Sequence, residues 1–228
     1  MSNPITLENI SCEYVDHMGN DLAVVNDARV SFKKIPQKFS QSDERLLRYL
    51  ARHNHWSPFA HSVVKFRITC PLFVAAQLFK HQVGLVANSV SRRYVSDDVT
   101  FWHTLAWREK AANKKQGSGG RLPVEVCTDA STKYIHSLQV AFDTYNDLLA
   151  LGVCEEQARA VLPNSTNTTF VWTGSLAAWL RVISLRCEES AQEETRQVAE
   201  QIAKKVQELF PGSYTAWKEF RGGHSSNS

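Results

Sequence analysis

Lys80-His81-Gln82 and, eight residues later, Ser91-Arg92-Arg93-Tyr94 place three fixed cations, an imidazole, an amide and two hydroxyls within fifteen residues. An arginine fork bonds a phosphate or a planar ring edge at two points, and a lysine acts as a point charge. Serine hydroxyls and backbone N–H groups complete an anion site. The chemistry these residues suit is therefore the grip on a small phosphorylated ligand. The same stretch also holds Val83, Leu85 and Val86, so a solvated basic loop beside a core helix fits it equally. A nucleic-acid patch fits less well, because the cations are few and no aromatic ladder interleaves them.

Other candidates are scattered. Arg159, Arg181 and Arg186 fall on or near apolar helices. Arg186 follows Val182-Ile183-Ser184-Leu185 and needs a partner there. Glu188 or Glu189 would supply a structural ion pair; a ligand facing the guanidinium is the sharper alternative. His53, His55, His61 and His81 lack a carboxylate cluster or an H-E-x-x-H pattern, so no metal is expected. Gly117-Ser118-Gly119-Gly120 lacks the G-K-[ST] ending of a phosphate loop. The five cysteines form no C-x-x-C pair, which disfavours a disulfide framework and structural zinc.

The elements that must position these residues follow from periodicity and caps. Asp21 to Arg29 reads as a short helix after the turn signal Met18-Gly19-Asn20-Asp21, and Val30-Ser31-Phe32 as an extended exit. Ser42 reads as the N-cap of a helix burying Leu46, Leu47 and Leu50 and ending near Asn54. His61 to Cys70 alternates, with Val64, Phe66, Ile68 and Cys70 on one face, as a half-buried strand does. Pro71 opens a helix over Leu72 to Lys80, at whose end Gln77, Lys80 and His81 share a face. Asp129 caps a long helix along Tyr134, Leu138, Ala141, Tyr145 and Leu148, closed by Gly152. Further helices are expected over Glu155 to Leu162, from Ser175 through Arg186, and from Glu188 to Phe210.

Bulk properties bound the rest. The 228 residues, 43% apolar and 21% charged, make one soluble α+β domain over 1–228, with 113–120 a mobile loop and 221–228 a disordered tail. A net charge of +3 does not call for nucleic acid. Neither a leader pattern nor an apolar run long enough for a membrane is visible, so the expectation is a cytoplasmic protein.

Several collinear segments resemble one family, the flavin-dependent thymidylate synthases. They are Asp16 to Leu22 with Ala28-Arg29-Val30-Ser31-Phe32, His53-Asn54-His55-Trp56-Ser57-Pro58-Phe59-Ala60-His61, Gln77-Leu78-Phe79-Lys80-His81-Gln82 and Asn88 to Tyr94. Trp107-Arg108, Lys115 to Ser118, Ala158 to Pro163, Trp172 to Leu176, Leu185-Arg186 and Ala191-Gln192-x-Glu194 continue the match, which runs from about residue 14 to 215. The resemblance implies an α+β fold with a small mixed or antiparallel sheet packed by several long helices, in a homotetramer. It implies conversion of dUMP to dTMP, with methylenetetrahydrofolate as carbon donor, reduced FAD as hydride donor and NADPH as reductant.

By the same resemblance Arg186 is the catalytic arginine at the uracil ring. Gln77, Lys80, Ser89, Val90, Ser91, Arg92, Arg93 and Arg159 hold dUMP with it. Ser31, His55, Ser57, Lys80, His81, Gln82, Ser89, Ser175 and Arg181 contact FAD. The chain departs from the family pattern at several of these places. Lys80 and Gln82 replace arginines, Ser89 replaces glutamate, Ala60 replaces an acid, and one extra residue separates Lys80 from Ser91. Ser175, Ala177 and Ser190 replace asparagine, arginine and histidine. These departures motivate two alternatives: a flavin-dependent pyrimidine nucleotide 5-hydroxymethylase of the same fold, or a non-catalytic nucleotide-binding homologue.

Overall fold

The computed structural model describes residues 4–31, 35–91, 93, 99–104, 106–111 and 117–221. In chain order the elements are β1 (Thr6–Glu8), β2 (Ser11–Met18), α1 (Asp21–Ala28), α2 (Gln41–Arg52), α3 (Ser57–Ala60), β3 (Val63–Pro71), α4 (Leu72–Leu78), β4 (Leu85–Ser89) and β5 (Thr100–Trp102). After these come α5 (Val124–Ala150), α6 (Glu155–Ala158), a 3-10 turn (Arg159–Val161), β6 (Asn167–Ser175), α7 (Leu176–Arg186), α8 (Glu193–Leu209) and α9 (Pro211–Arg221). Short strands and longer helices mix as the α+β expectation requires. Among the described residues no helix is long and apolar enough to cross a membrane.

The strands form a four-stranded sheet in the order β2-β3-β6-β4 and a parallel pair, β1 with β5. Leu72 N donates to Thr166 O at 3.0 Å and Leu176 N to Ser62 O at 2.8 Å, so β3 and β6 run antiparallel. Ser175 N to Gly84 O and Val90 N to Thr169 O make β6 and β4 antiparallel as well. The alternation read in β3 holds: Val64, Phe66, Ile68 and Cys70 are all buried. β3 and β6 each pass without a loop into a helix, α4 and α7.

The chain divides into two compact units. The first comprises Met1–Ser11, Thr69–Phe79 and Ser89–Phe170. Its core is the buried set Val99, Phe101, Leu138, Tyr145 and Ala158, with Tyr134, Phe142, Leu148 and Leu162 packed against it. Gly152, at φ +85°, ends the long helix as expected, its N–H reaching Leu149 O at 2.9 Å.

The second unit comprises Cys12–Ile68, Lys80–Asn88 and Val171–Ser228. Trp179 of α7 stacks edge-on against Phe66 and Trp172, with centroids 5.1 and 4.9 Å away, and its indole N–H donates to Val64 O at 3.0 Å. The hydrophobic face and the polar edge of this ring are thus both satisfied. Helix α9 opens with proline at its first position, and its next two N–H groups, of Gly212 and Ser213, donate to the buried Asp21 carboxylate at 2.6 and 2.8 Å. The Ser213 hydroxyl adds a third bond at 2.6 Å. A carboxylate placed there meets both the free amides and the positive end of the helix dipole.

Several expectations need correction. Ser40, not Ser42, caps α2, because Asp43 at the third helical position bonds back to the Ser40 N–H at 2.7 Å. Helix α5 begins at Val124, after Pro123, rather than at Asp129. Helix α4 ends at Leu78, so Lys80 and His81 lie beyond it and do not share its face with Gln77. The Glu155 to Leu162 helix is one α turn continued as a 3-10 turn. Helix α8 starts at Glu193 instead of Glu188, and α9 is an addition. Val30 and Ser31 form a turn rather than an extended exit, and Phe32 lies outside the described residues. So do 113–116 of the expected mobile loop and 222–228 of the expected tail. The near side of that loop is tied back by Glu109 N to Gly120 O and Gly119 N to Glu109 O, both 2.8 Å.

Asp21→Ala strands three donors in a buried setting and is expected to lower the unfolding free energy by about 2–3 kcal/mol. Asp21→Asn, which keeps one acceptor oxygen, should lose less. Urea unfolding of the three proteins checks this; equal midpoints would contradict it.

Candidate functional site

Except for Ser89, the residues proposed to handle the flavin and the reacting ring fall in the second unit, and four of them converge on α7. Ser175 has extended backbone and its hydroxyl accepts from Ala178 N at 3.3 Å, so it caps the helix as read from the sequence. Two turns on, Arg181 Nη2 donates to Val83 O at 2.8 Å. At the last position Arg186 Nε donates to His81 Nε2 at 2.9 Å. The partner the structure gives Arg186 is thus an imidazole. The segment from His81 to Gly84 lies along the helix, held at both ends of that span.

Gly84 explains how the segment comes so close. Its φ is +77°, and a Cβ there would sit 3.1 Å from Ser175 Oγ and 3.2 Å from Ala178 Cβ. Only glycine combines that backbone angle with that approach. Burial and the neighbouring guanidinium groups of Arg186 and Arg181 push the His81 pKa down from its ordinary 6.5. A positive ring would stand among like charges, so the neutral form is favoured. Lys80 and Gln82 flank His81 and are exposed. Ser31, His55 and Ser57 are also exposed, and among the described residues the bonds tying the segment to α7 do not include them.

The residues proposed for dUMP alone fall in the first unit. The Arg93 guanidinium pairs with the Glu156 carboxylate, and Arg159 Nε donates to the Glu156 carbonyl at 3.3 Å. Ser91 Oγ accepts from Arg93 N at 3.4 Å. Glu156 therefore gathers Arg93 and Arg159 on one turn, with Ser91 beside them. All three cationic and hydroxyl groups suit an anion. Ser89 closes β4, and Val90 N donates to Thr169 O at 2.8 Å, which fixes the approach to Ser91. Gln77 sits on α4 with its amide on Phe73 O at 3.5 Å. Arg92 lies outside the described residues.

Comparison with known proteins identifies the family. The family described as thymidylate synthase complementing protein matches residues 13–212. The chain belongs to that family. A flavin-dependent thymidylate synthase of Thermus thermophilus is 37% identical over 222 residues, 96% of this chain and 80% of that protein. One of Thermotoga neapolitana is 37% identical over 208 residues, 91% of this chain and 90% of that one. Among solved structures, a UMP/dUMP methylase, PolB, from Streptomyces cacaoi bound with 5-Br dUMP superposes with a TM-score of 0.86 at 30% identity, covering 96% of this chain and 99% of that one.

Two residues of the candidate site, Glu156 and Gly84, are not singled out by the sequence alone. Glu156 stands three residues before Arg159 on one helical face, a spacing that does favour contact. Its pairing with Arg93, far away in sequence, carries no such signal. Gly84 was readable only as a glycine in a loop; its positive φ and the helix beneath it come from the fold.

The lowered His81 pKa has a consequence for stability. Near and below pH 6.5 the unfolded chain takes up a proton that the folded ring resists. The His81 contribution is therefore fully present above pH 6.5 and falls as pH drops below it. Urea unfolding between pH 5 and 8 should show the parent losing stability relative to His81→Gln on the acid side; parallel curves would contradict this.

Proposed function

We propose that the chain is a flavin-dependent thymidylate synthase with a single catalytic domain, converting dUMP to dTMP with methylenetetrahydrofolate as carbon donor and NADPH as reductant. The observation that carries the reading is the family match across 13–212 together with relatives of that activity at 37% identity over nearly the whole chain. The solved relative is named a methylase, which supports methylation over hydroxymethylation or loss of catalysis. A homotetramer in which each site draws on several subunits, and a cytoplasmic setting, belong to the same proposal.

The residues present fit FAD. A dinucleotide needs cations and amide donors at its phosphates. Lys80, Gln82 and Arg181 are exposed donors within one unit, and the Ser175-capped start of α7 lies along the same segment. These would hold the cofactor, with Ser31, His55, Ser57, His81 and Ser89 as further contacts. When bound, the reduced flavin supplies a hydride to the pyrimidine. Lysine and glutamine in place of two arginines exchange bidentate grips for a point charge and a neutral amide, which sets cofactor affinity rather than the chemistry.

The protein's own work is positioning and electrostatics. Arg93 and Arg159 take the dUMP phosphate, exchanging Glu156 for it, while Ser91 contacts phosphate or ribose and Gln77 orients the nucleotide. Arg186 faces the uracil, favours ionisation at N3 and stabilises negative charge on the ring. No nucleophilic cysteine is required: Cys187, beside Arg186, has a thiol pKa pushed up to about 11, chiefly by burial.

Arg186→Ala is expected to lower kcat by about 100-fold or more while the protein still folds and binds FAD. The dTMP formed from dUMP, measured by mass spectrometry with all co-substrates saturating, reads this out; parent-like turnover would remove Arg186 from the role. Lys80→Ala should weaken FAD retention by roughly tenfold, the worth of one charge-assisted contact; unchanged titration curves for FAD and dUMP would contradict it.

A further inference from the structure

We propose that His81 is the positioning residue for Arg186, holding the guanidinium so that its two terminal amino groups face the pyrimidine. This rests on the role given to Arg186 above. The contact joins Arg186 Nε to His81 Nε2 at 2.9 Å across 105 residues of sequence. Arginine has five N–H donors and no acceptor. The imidazole nitrogen must accept, so the ring is neutral with its proton on Nδ1. The Nε–H lies at the root of the planar fork. Engaging it fixes the rotation of the guanidinium plane and leaves the outer pair of amino groups for a planar ring edge.

A free-swinging acceptor could not do this, and His81 is not one. Two residues on, the Val83 carbonyl is bound by Arg181, five positions before Arg186 on the same helix. One residue further, Gly84 is packed onto Ser175 and Ala178, and its carbonyl accepts from Ser175 N at 3.0 Å. The histidine and the arginine it orients are therefore referenced to one rigid element, α7. The charged groups acting on the ring are Arg186 and Arg181 from α7, both cations. A protonated His81 would become a donor opposite a donor, and the contact would be lost. This is a different task from contacting FAD, and it predicts a different defect.

The experiment compares the parent, His81→Leu, His81→Gln, Arg186→Ala and the double variant His81→Leu/Arg186→Ala, at saturating FAD and dUMP. His81→Leu is expected to lower kcat about 10–100-fold, the scale on which misplacing a reacting group acts. His81→Gln, whose amide oxygen reaches about as far as Nε2, should recover most of that loss and lack the acid limb that protonation of His81 gives the parent. The double variant should be no worse than Arg186→Ala alone, because His81 acts through Arg186. An unchanged kcat at saturating FAD in His81→Leu, with or without a weakened FAD affinity, or losses that multiply in the double variant would each overturn the proposal while leaving Arg186 in place. Parent-like kcat in Arg186→Ala would overturn the reading of Arg186 and this inference with it.

Discussion

Strands β3 and β6 run antiparallel and each turns into a helix with no intervening loop, so strand register sets where both helices begin. The pairing is fixed at several levels. Backbone bonds tie Leu72 to Thr166 and Leu176 to Ser62, and the hydroxyls of Thr69 and Thr169 meet at 2.8 Å. The alternating burial of Val64, Phe66 and Ile68 forbids a one-residue slip, which would turn three core side chains into water. Helix α7 inherits this constraint. Its first residue is pinned by Ser62 O, its cap is Ser175, and Trp179 locks its inner face against Phe66 and Trp172. Arg181 and Arg186 then project from known places, and the segment from His81 to Gly84 is laid against them. The electrostatics of the site follow from strand pairing.

How much of this the sequence discloses depends on whether the deciding contact is local. β3 was readable because its buried and exposed faces alternate within one run of residues. α7 was readable because its capping serine and its closing arginine bound one mostly apolar run. β2 gave no pattern because, along Glu13 to Met18, both faces are exposed. β6 reads as Asn-Thr-Thr-Phe-Val-Trp-Thr-Gly-Ser, with turn-forming residues at both ends. Its strand character comes from two neighbouring strands. α9 begins Pro-Gly-Ser, a turn by composition, and is stabilised by Asp21, 191 residues earlier. α4 stops at Leu78 although Phe79 and Lys80 are ordinary helix residues, so the apolar run overstated its length.

The site divides the same way. The family's collinear segments identify the residue types to watch, and the fold assigns their partners. Arg186 could be read as a guanidinium needing company, with Glu188 and Glu189 the nearest candidates in sequence. Its partner is His81, brought there by the turn at Gly84. Arg93 and Arg159 could be read as two cations, but not as a pair gathered by Glu156. Gln82, where the family carries arginine, leaves His81 with one fewer cation in its own segment. Fewer like charges nearby ease the electrostatic pressure on the imidazole, while burial and the two α7 arginines still push its pKa down.

The proposed function requires that this protein bind both a flavin and a pyrimidine nucleotide. The most direct measurement is the visible absorption spectrum of the purified protein after FAD addition and gel filtration, followed through a titration with dUMP. Flavin bands are expected to stay with the protein and to shift saturably as dUMP binds, because nucleotide binding changes the surroundings of the flavin ring. A protein that emerges colourless at every practical FAD concentration, or flavin bands indifferent to saturating dUMP, would contradict it.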